Sequence, residues 1–559
     1  MKERYLVLME KALSAYPYEH IERYFKDVKQ NGLTEHGFPR LTANIGILIS
    51  HGRRADLLPI FLEMMDFCCE TIPCVKAAND FSVREIVCCI RELEGSKSVS
   101  KEKTELWRAL LASIEPTKCY TRFATSVEDT VRNWALFTAV SEYFRLSSGI
   151  GGDIDFIELQ LLQQLQWFDE NGMYMDQKST DVQQPIVYDI VPRGLLVMLL
   201  NEGYRGRQYD RIDALLKSSA LLTLNMQSPT GELAFGGRSN QFIHNEGWLA
   251  TVYEYEAKRY KREGNIALAK IFKAAIDRAL SSSEIWLSKD PIRHIKNRFP
   301  IETKYGCEGY AYFDKYMITA ASFFYTAYLV CDESIPTESI KDTEPCAWQT
   351  SQHFHKVFVK AGGYGLEFDT NADMHYDANG LGRVHKEGAP AAICLSCPCP
   401  SDPVYTVDTD SPISLSLCSG IKDEYGKWVF ACEGNTSYSI TDTDDSGDFA
   451  TLKLICSFGK SDVNEAYSVS EKGVEIEISG NGEIAYSLPT FSFDGETATQ
   501  ITLSDNSLSV IYNGYKCTYT SSEKITETNT IANNRNGYYK MFYTQGFDKL
   551  SVSIRIEAL

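Results

Sequence analysis

Between Gly236 and Trp248 the chain reads GGRSNQFIHNEGW, a stretch whose side chains are suited to holding an anion and moving a proton. Arg238, Asn240, Gln241 and Asn245 are hydrogen-bond donors, Glu246 brings a carboxylate, and His244 brings a ring whose charge ordinarily switches near neutral pH. The stretch leads into an apolar helix expected to begin near Trp248, so backbone N–H groups join these side chains around a polar or anionic ligand. Capping by Asn245, with Glu246 favouring the helix dipole, accounts for two of the residues and leaves the others for function.

Two further stretches carry the same kind of chemistry. RHIKNRFPIETKYGCEGYAYFDKY supplies the cations Arg293, Lys296, Arg298 and Lys304 with His294, and then Tyr305, Tyr310, Tyr312 and Tyr316. Local cations of this kind draw in a carboxylate or sulfate, although a solvated basic loop followed by core tyrosines has the same composition. Tyr305 and Tyr310, beside glycines at a loop-to-helix transition, are the better candidates for proton transfer. EFDTNADMHYDANGLGRVHKEG places His375, Tyr376, Asp377, Asn379, Arg383 and His385 on what reads as a Gly-containing loop between strands. His375, Asp377 and His385 have the ligand chemistry of a zinc site. The simpler reading is a polar loop reaching across to the helical half, with no cofactor.

Other chemistries are missing: there is no Gly-rich phosphate loop, dinucleotide fingerprint, nucleophile elbow or HExxH. CLSCPCP, from Cys394, lacks a second half-site and reads as ordinary cysteines. A net charge of −19 argues against a nucleic-acid partner and obliges an anionic substrate to find its cations locally. The N-terminal residues alternate charged and apolar at helical spacing with no export signal, and the longest apolar stretch, Met317 to Val330, is too short and too interrupted for a membrane span. Sixteen scattered cysteines then read as reduced core residues, and a cytoplasmic location with no membrane partner is the expectation.

Positioning these groups falls to two different halves. To about Asp332 apolar residues recur at three- and four-residue steps, as in TVRNWALFTAVSEYFRLSS and GWLATVYEYEAKRYKREG, which predicts helical hairpins stacked in a ring or solenoid. After Pro336 the period becomes two, with runs such as KVFVKAGGYGLEFDT and DFATLKLICSFG between Gly, Asn and Asp turns, which predicts an antiparallel β-sandwich. The expected domains are 1–335, an (α/α) toroid, and 336–559, the sandwich.

In these features the chain resembles the heparinase II/III-like group of polysaccharide lyases, a helical toroid followed by a β-sandwich. The resemblance rests on WFDENGMYMD with the later Tyr188-Asp189, on GGRSNQFIHNEGW, on YGCEGYAYFDKY and on DMHYDANGLGRVH. The architecture covers nearly the whole chain, and glycoside hydrolases acting on uronic acids, a glucuronidase family among them, share it. The resemblance implies β-elimination on an anionic, uronate-containing oligosaccharide. Asn240, Arg238 or Asn245 would neutralise the carboxylate, His244 would be the base and Tyr310 or Tyr305 the acid, with Tyr188, Asp189, Gln241, Glu246, Arg298, Tyr376, Arg383 and His385 binding substrate. The chain departs from the lyase pattern in the spacing around His244, where Glu246 lies close. The alternative is a hydrolase such as a β-glucuronidase, drawing on Glu246, Asp189, Glu308 or Asp377, and the third reading is a noncatalytic glycan-binding protein. A composite site is expected, with His375 or His385 within one small sugar's reach of His244.

Overall fold

Six largely buried helices form the inner wall of the helical half: Gly37–Ser50, Val83–Ser96, Trp134–Ser147, Val187–Asn201, His244–Arg262 and Phe313–Val330. From Gly37 to Ile49 every residue of the first is buried. Each inner helix packs on the next, and Phe313–Val330 returns to Gly37–Ser50, so the ring closes. Lys2–Leu13, Leu58–Thr71, Ile154–Leu165, Tyr209–Met226 and Ile266–Leu287 pack outside it. Close approach between inner helices needs a glycine at one point, since a Cβ on Gly194 would lie 2.1 Å from the Trp248 ring. This is the predicted toroid. The computed structural model describes all residues except 178–182, 307, 309–312, 339, 341–343, 401, 407, 409–412 and 435, and the side chains of 313 and 314. Among the described residues no helix is long and apolar enough to cross a membrane.

The second half is antiparallel β, as expected. A four-stranded sheet runs Cys346–Gln349, Lys356–Ala361, Tyr364–Asp369 and Gly380–Lys386 in order, beside an eleven-stranded sheet. The longest strands, Gly473–Phe493 and Gly537–Ala558, pair along most of their length. The strands Lys356–Ala361 and Tyr364–Asp369 of the small sheet are buried on both faces. Val357 and Val359 enter the sandwich core, whereas Phe358 joins the toroid core and Lys360 donates to the Leu224 carbonyl at 2.8 Å.

Two local expectations are corrected. The helix expected near Trp248 begins four residues earlier, at His244, and Asn245 does not cap it: its side-chain amide donates to the Ser239 carbonyl at 3.3 Å. Arg383 and His385 lie on the strand Gly380–Lys386, not on a loop.

Candidate active site

The inner helices all begin at one mouth of the ring. The His36 ring, just before the first, is 4.8 Å from Phe81, and Phe81 is 4.6 Å from Trp134, where the third begins. Asn133 donates at 2.5 Å to Asp176, Asp176 is ion-paired with Arg238, and Arg238 lies 4.3 Å over the ring of Tyr188, in the first turn of the fourth. His244, opening the fifth, stacks at 5.6 Å on Tyr316 of the sixth. Helix N-termini present unpaired N–H groups and partial positive charge. Their convergence gives an acidic protein a local field suited to an anion.

A cavity of about 740 Å3 opens beside this mouth, lined by Arg122, Arg132 and Arg238 together with Asn133, Trp134 and Tyr188. Each guanidinium faces a ring: Arg122 that of Trp134 at 5.0 Å, Arg132 that of Trp167 at 3.2 Å, and Arg238 that of Tyr188. Nε and Nη1 of Arg132 are buried and have no hydrogen-bond partner among the described residues. Burial raises the pKa of Tyr188 and the Arg238 charge pulls it back, while the phenol oxygen lies 3.1 Å from Ser239 Oγ. Two carboxylates also line the cavity, and both are occupied. Asp129 accepts from Thr125 and Ser126, which hold it below the usual carboxylate range, and Asp176 is raised by burial but held down by Arg238 and Asn133.

The loop entering the fifth inner helix is strained and incompletely satisfied. Ser239 and Gln241 have φ of +60° and +66°, each costing a non-glycine residue about 1–3 kcal/mol. The Glu308 carboxylate holds the first by accepting the Ser239 N–H at 2.9 and 3.1 Å. Nδ2 of Asn240, Oδ1 of Asn245 and Nδ1 of His244 are buried without hydrogen-bond partners among the described residues. Buried polar atoms are normally paired, so three orphans in six residues mark a place shaped for a ligand. The His244 ring packs against Phe242 at 5.3 Å and Tyr316 at 5.6 Å, two rings that also touch each other at 4.4 Å, and burial with the nearby Arg40 charge lowers its pKa to about 3. It is a neutral imidazole across the physiological range.

The remaining candidates divide between this mouth and its supports. The loop 371–379 does face the toroid: Asp377 accepts the Gly237 N–H at 2.9 Å, and Tyr376 feels the charges of Glu308 and Arg238. His375 turns away, 57% exposed, with Nδ1 3.0 Å from the Asp402 carbonyl. His385 is buried between Ser228 at 2.5 Å and Ser396 at 2.9 Å, and Arg383 donates to the Leu233 and Ser396 carbonyls at 3.0 Å. These two stitch sheet to toroid and do not line the cavity. With His375, Asp377 and His385 each on separate partners, no group of three or more His, Cys, Asp or Glu among the described residues is arranged to hold a metal. Of the carboxylates weighed for hydrolysis, Glu246 pairs with Lys296 at 2.5 Å, Asp189 with Arg193 and Glu308 with Arg535 at 3.6 Å, while Glu246 Oε2 and Asp377 Oδ1 are buried without hydrogen-bond partners among the described residues; none of the four lines the cavity. Gln241 donates to the Asn240 side chain at 3.3 Å and Arg298 covers Trp286 at 5.3 Å. Tyr305 is hydrogen-bonded to Asp408 and packs on Phe299, and Tyr310 lies outside the described residues.

No family model and no curated protein matches the chain. Solved structures do. A single-residue variant of the chondroitin AC lyase of Streptomyces coelicolor A3 superposes with a TM-score of 0.51 at 12% identity, over 99% of this chain and 79% of that one. The fold is that of this polysaccharide lyase. The same enzyme in complex with chondroitin sulphate gives 0.50 at 12% identity, over 99% and 83%. A mutant heparan sulfate lyase from Pedobacter heparinus is also similar, with 0.49 at 9% identity over 94% and 76%.

Sequence reasoning missed Arg122, Arg132, Asn133, Trp134 and Asp176. The signal for the middle three was present: in VRNW two donors and an aromatic lead directly into the helix Trp134–Ser147, the same context that drew attention to GGRSNQFIH.

Proposed function

We propose that the protein is a polysaccharide lyase that cleaves uronate-containing glycans by β-elimination at this mouth. The observation carrying the reading is the set of unpartnered buried atoms on Asn240, His244 and Asn245 beside a cavity rimmed by three arginines. A uronate carboxylate met by Arg238 and Asn240 loses the charge that otherwise protects the adjacent C5–H from removal. Neutral His244 takes that proton, the electron pair forms the C4–C5 double bond, and the bond from C4 to the glycosidic oxygen breaks. Tyr188, the phenol within the cavity, protonates the departing oxygen. Trp134 offers a face for a sugar ring. Hydrolysis needs a carboxylate pair free to act across the bond, and Asp129 and Asp176 are both engaged by donors. Every described cysteine is a free thiol and all but Cys74 are buried, which supports the cytoplasm as location.

The deciding experiment is incubation with uronate-containing oligosaccharides in heavy-oxygen water. A conjugated, ultraviolet-absorbing unsaturated uronate with no heavy oxygen incorporated is the expected product. Heavy oxygen at a new reducing end would replace elimination with hydrolysis. Within this reading Tyr305→Phe should stay within about threefold of the parent kcat, since its hydroxyl serves Asp408 and not the cavity. A fall of the size expected of a lost proton donor, about a hundredfold, would return Tyr305 to the catalytic set.

A further inference from the structure

The strands Ile525–Asn534 and Gly537–Ala558 are joined by a two-residue turn, Arg535-Asn536, with Asn534 and Gly537 paired across it. This hairpin tip belongs to the sandwich, yet Arg535 is only 2% exposed because it is driven into the toroid's mouth loops. Its Nε donates to the Gly306 carbonyl at 2.6 Å and one Nη to the Asn240 carbonyl at 2.9 Å. The other Nη lies 3.6 Å from Glu308, the carboxylate that holds the left-handed Ser239, and the guanidinium covers the Tyr405 ring at 4.8 Å. The Arg535 carbonyl in turn accepts the Arg298 N–H at 2.8 Å. Gly306 is shaped to this contact, with φ +66° and space for a Cβ only 2.8 Å from Arg535 Cγ.

One planar fork therefore ties together loop 236–243, which carries Asn240 and leads into His244, and loop 297–306, next to Glu308. Backbone bridges already hold Phe242 to Ile295 and Tyr305 and Glu308 to the segment 405–406, and the fork adds the link that grips the Asn240 carbonyl itself. The backbone of Asn240 is fixed by the fork while its side-chain Nδ2 is left without a partner among the described residues, the arrangement of a donor held in place for something else. Lysine cannot replace the fork, because a single ammonium has no fixed geometry with which to serve two carbonyls and a carboxylate at once.

We propose that Arg535 is a positioning residue through which the sandwich sets the geometry of the toroid's site loops, so that Asn240 meets the transition state in register. This rests on the lyase reading for its consequence in turnover, but its physical content is separate. The test uses the full chain carrying Arg535→Ala or Arg535→Lys, with two readouts. Amide hydrogen exchange in 236–243 and 297–306 should speed up at least tenfold in both variants while the inner helices keep the parent rates. On a uronate-containing oligosaccharide kcat should fall at least thirtyfold with KM within threefold, and millimolar guanidinium should restore part of it to the alanine variant alone. Unchanged exchange in the two loops would overturn the proposal whether or not the parent is a lyase. Faster exchange with parent kcat would overturn its catalytic part. A parent without eliminase activity would sink the lyase reading and leave the exchange result to decide the positioning role.

Discussion

Glutamine in place of His244 is expected to lower kcat/KM on a uronate-containing oligosaccharide by about 10²–10⁴-fold, the span of a lost general base. Glutamine keeps a polar end near the Nε2 position and nearly the volume, so the packing against Phe242 and Tyr316 is disturbed little. An unchanged urea midpoint would separate lost chemistry from lost packing. The pH profile adds a sharper check. With its pKa lowered to about 3, the imidazole in the free protein is protonated only in strong acid, so the basic form is fully populated from pH 5 upward. The profile of kcat/KM should therefore lack the acid limb near 6.5 that an ordinary histidine would impose. A limb there that disappears in His244→Gln would mean that burial and Arg40 do not hold the ring neutral.

The largest effect on stability is expected from Lys273→Met. Lys273 and Glu254 are both 0% exposed and 2.5 Å apart, on neighbouring helices. Glu254 also accepts the Tyr5 hydroxyl at 2.9 Å, which brings in the helix Lys2–Leu13. Methionine fills the space but leaves a buried carboxylate facing an apolar wall, and removing one member of such a pair costs about 3–5 kcal/mol. Replacing both, as Lys273→Met with Glu254→Leu, should recover most of the loss, short of the hydrogen bond from Tyr5. Urea unfolding followed by circular dichroism reads the difference. A single variant within about 1 kcal/mol of the parent would mean that water reaches the pair.

The two-part architecture was legible because its signals are long: apolar residues at three- and four-residue steps through many helices, then strands of period two. The short polar segments were less so, for particular reasons. In HNEGW the first helical turn carries no apolar period, so the helix was expected to start at Trp248 and not at His244. In GLGRVHK the alternation was correct for a strand, but Arg383 and His385 face a second protein layer and not water, and pattern alone does not tell these apart. The loop around His244 was recognisable because its polar residues are consecutive. Arg132 and Trp167 meet only in space, 35 residues apart, as do Arg238 and Asp176, and nothing local announces such pairs.

The closure of the inner ring has a consequence for damage tolerance. A linear array of helical hairpins has end units, each held by one neighbour, and sheds them one at a time. Here Arg4 of the helix Lys2–Leu13 reaches Asp277 and Glu284 at 2.6 and 2.8 Å, and the same helix packs on Phe313–Val330, so the beginning of the helical half is wedged against its end. Every inner helix has a neighbour on either side. A protease cut in one exposed outer loop therefore converts a ring with no ends into a chain broken once, whose two pieces still share a full helical interface, and the nicked protein should stay assembled with its mouth intact.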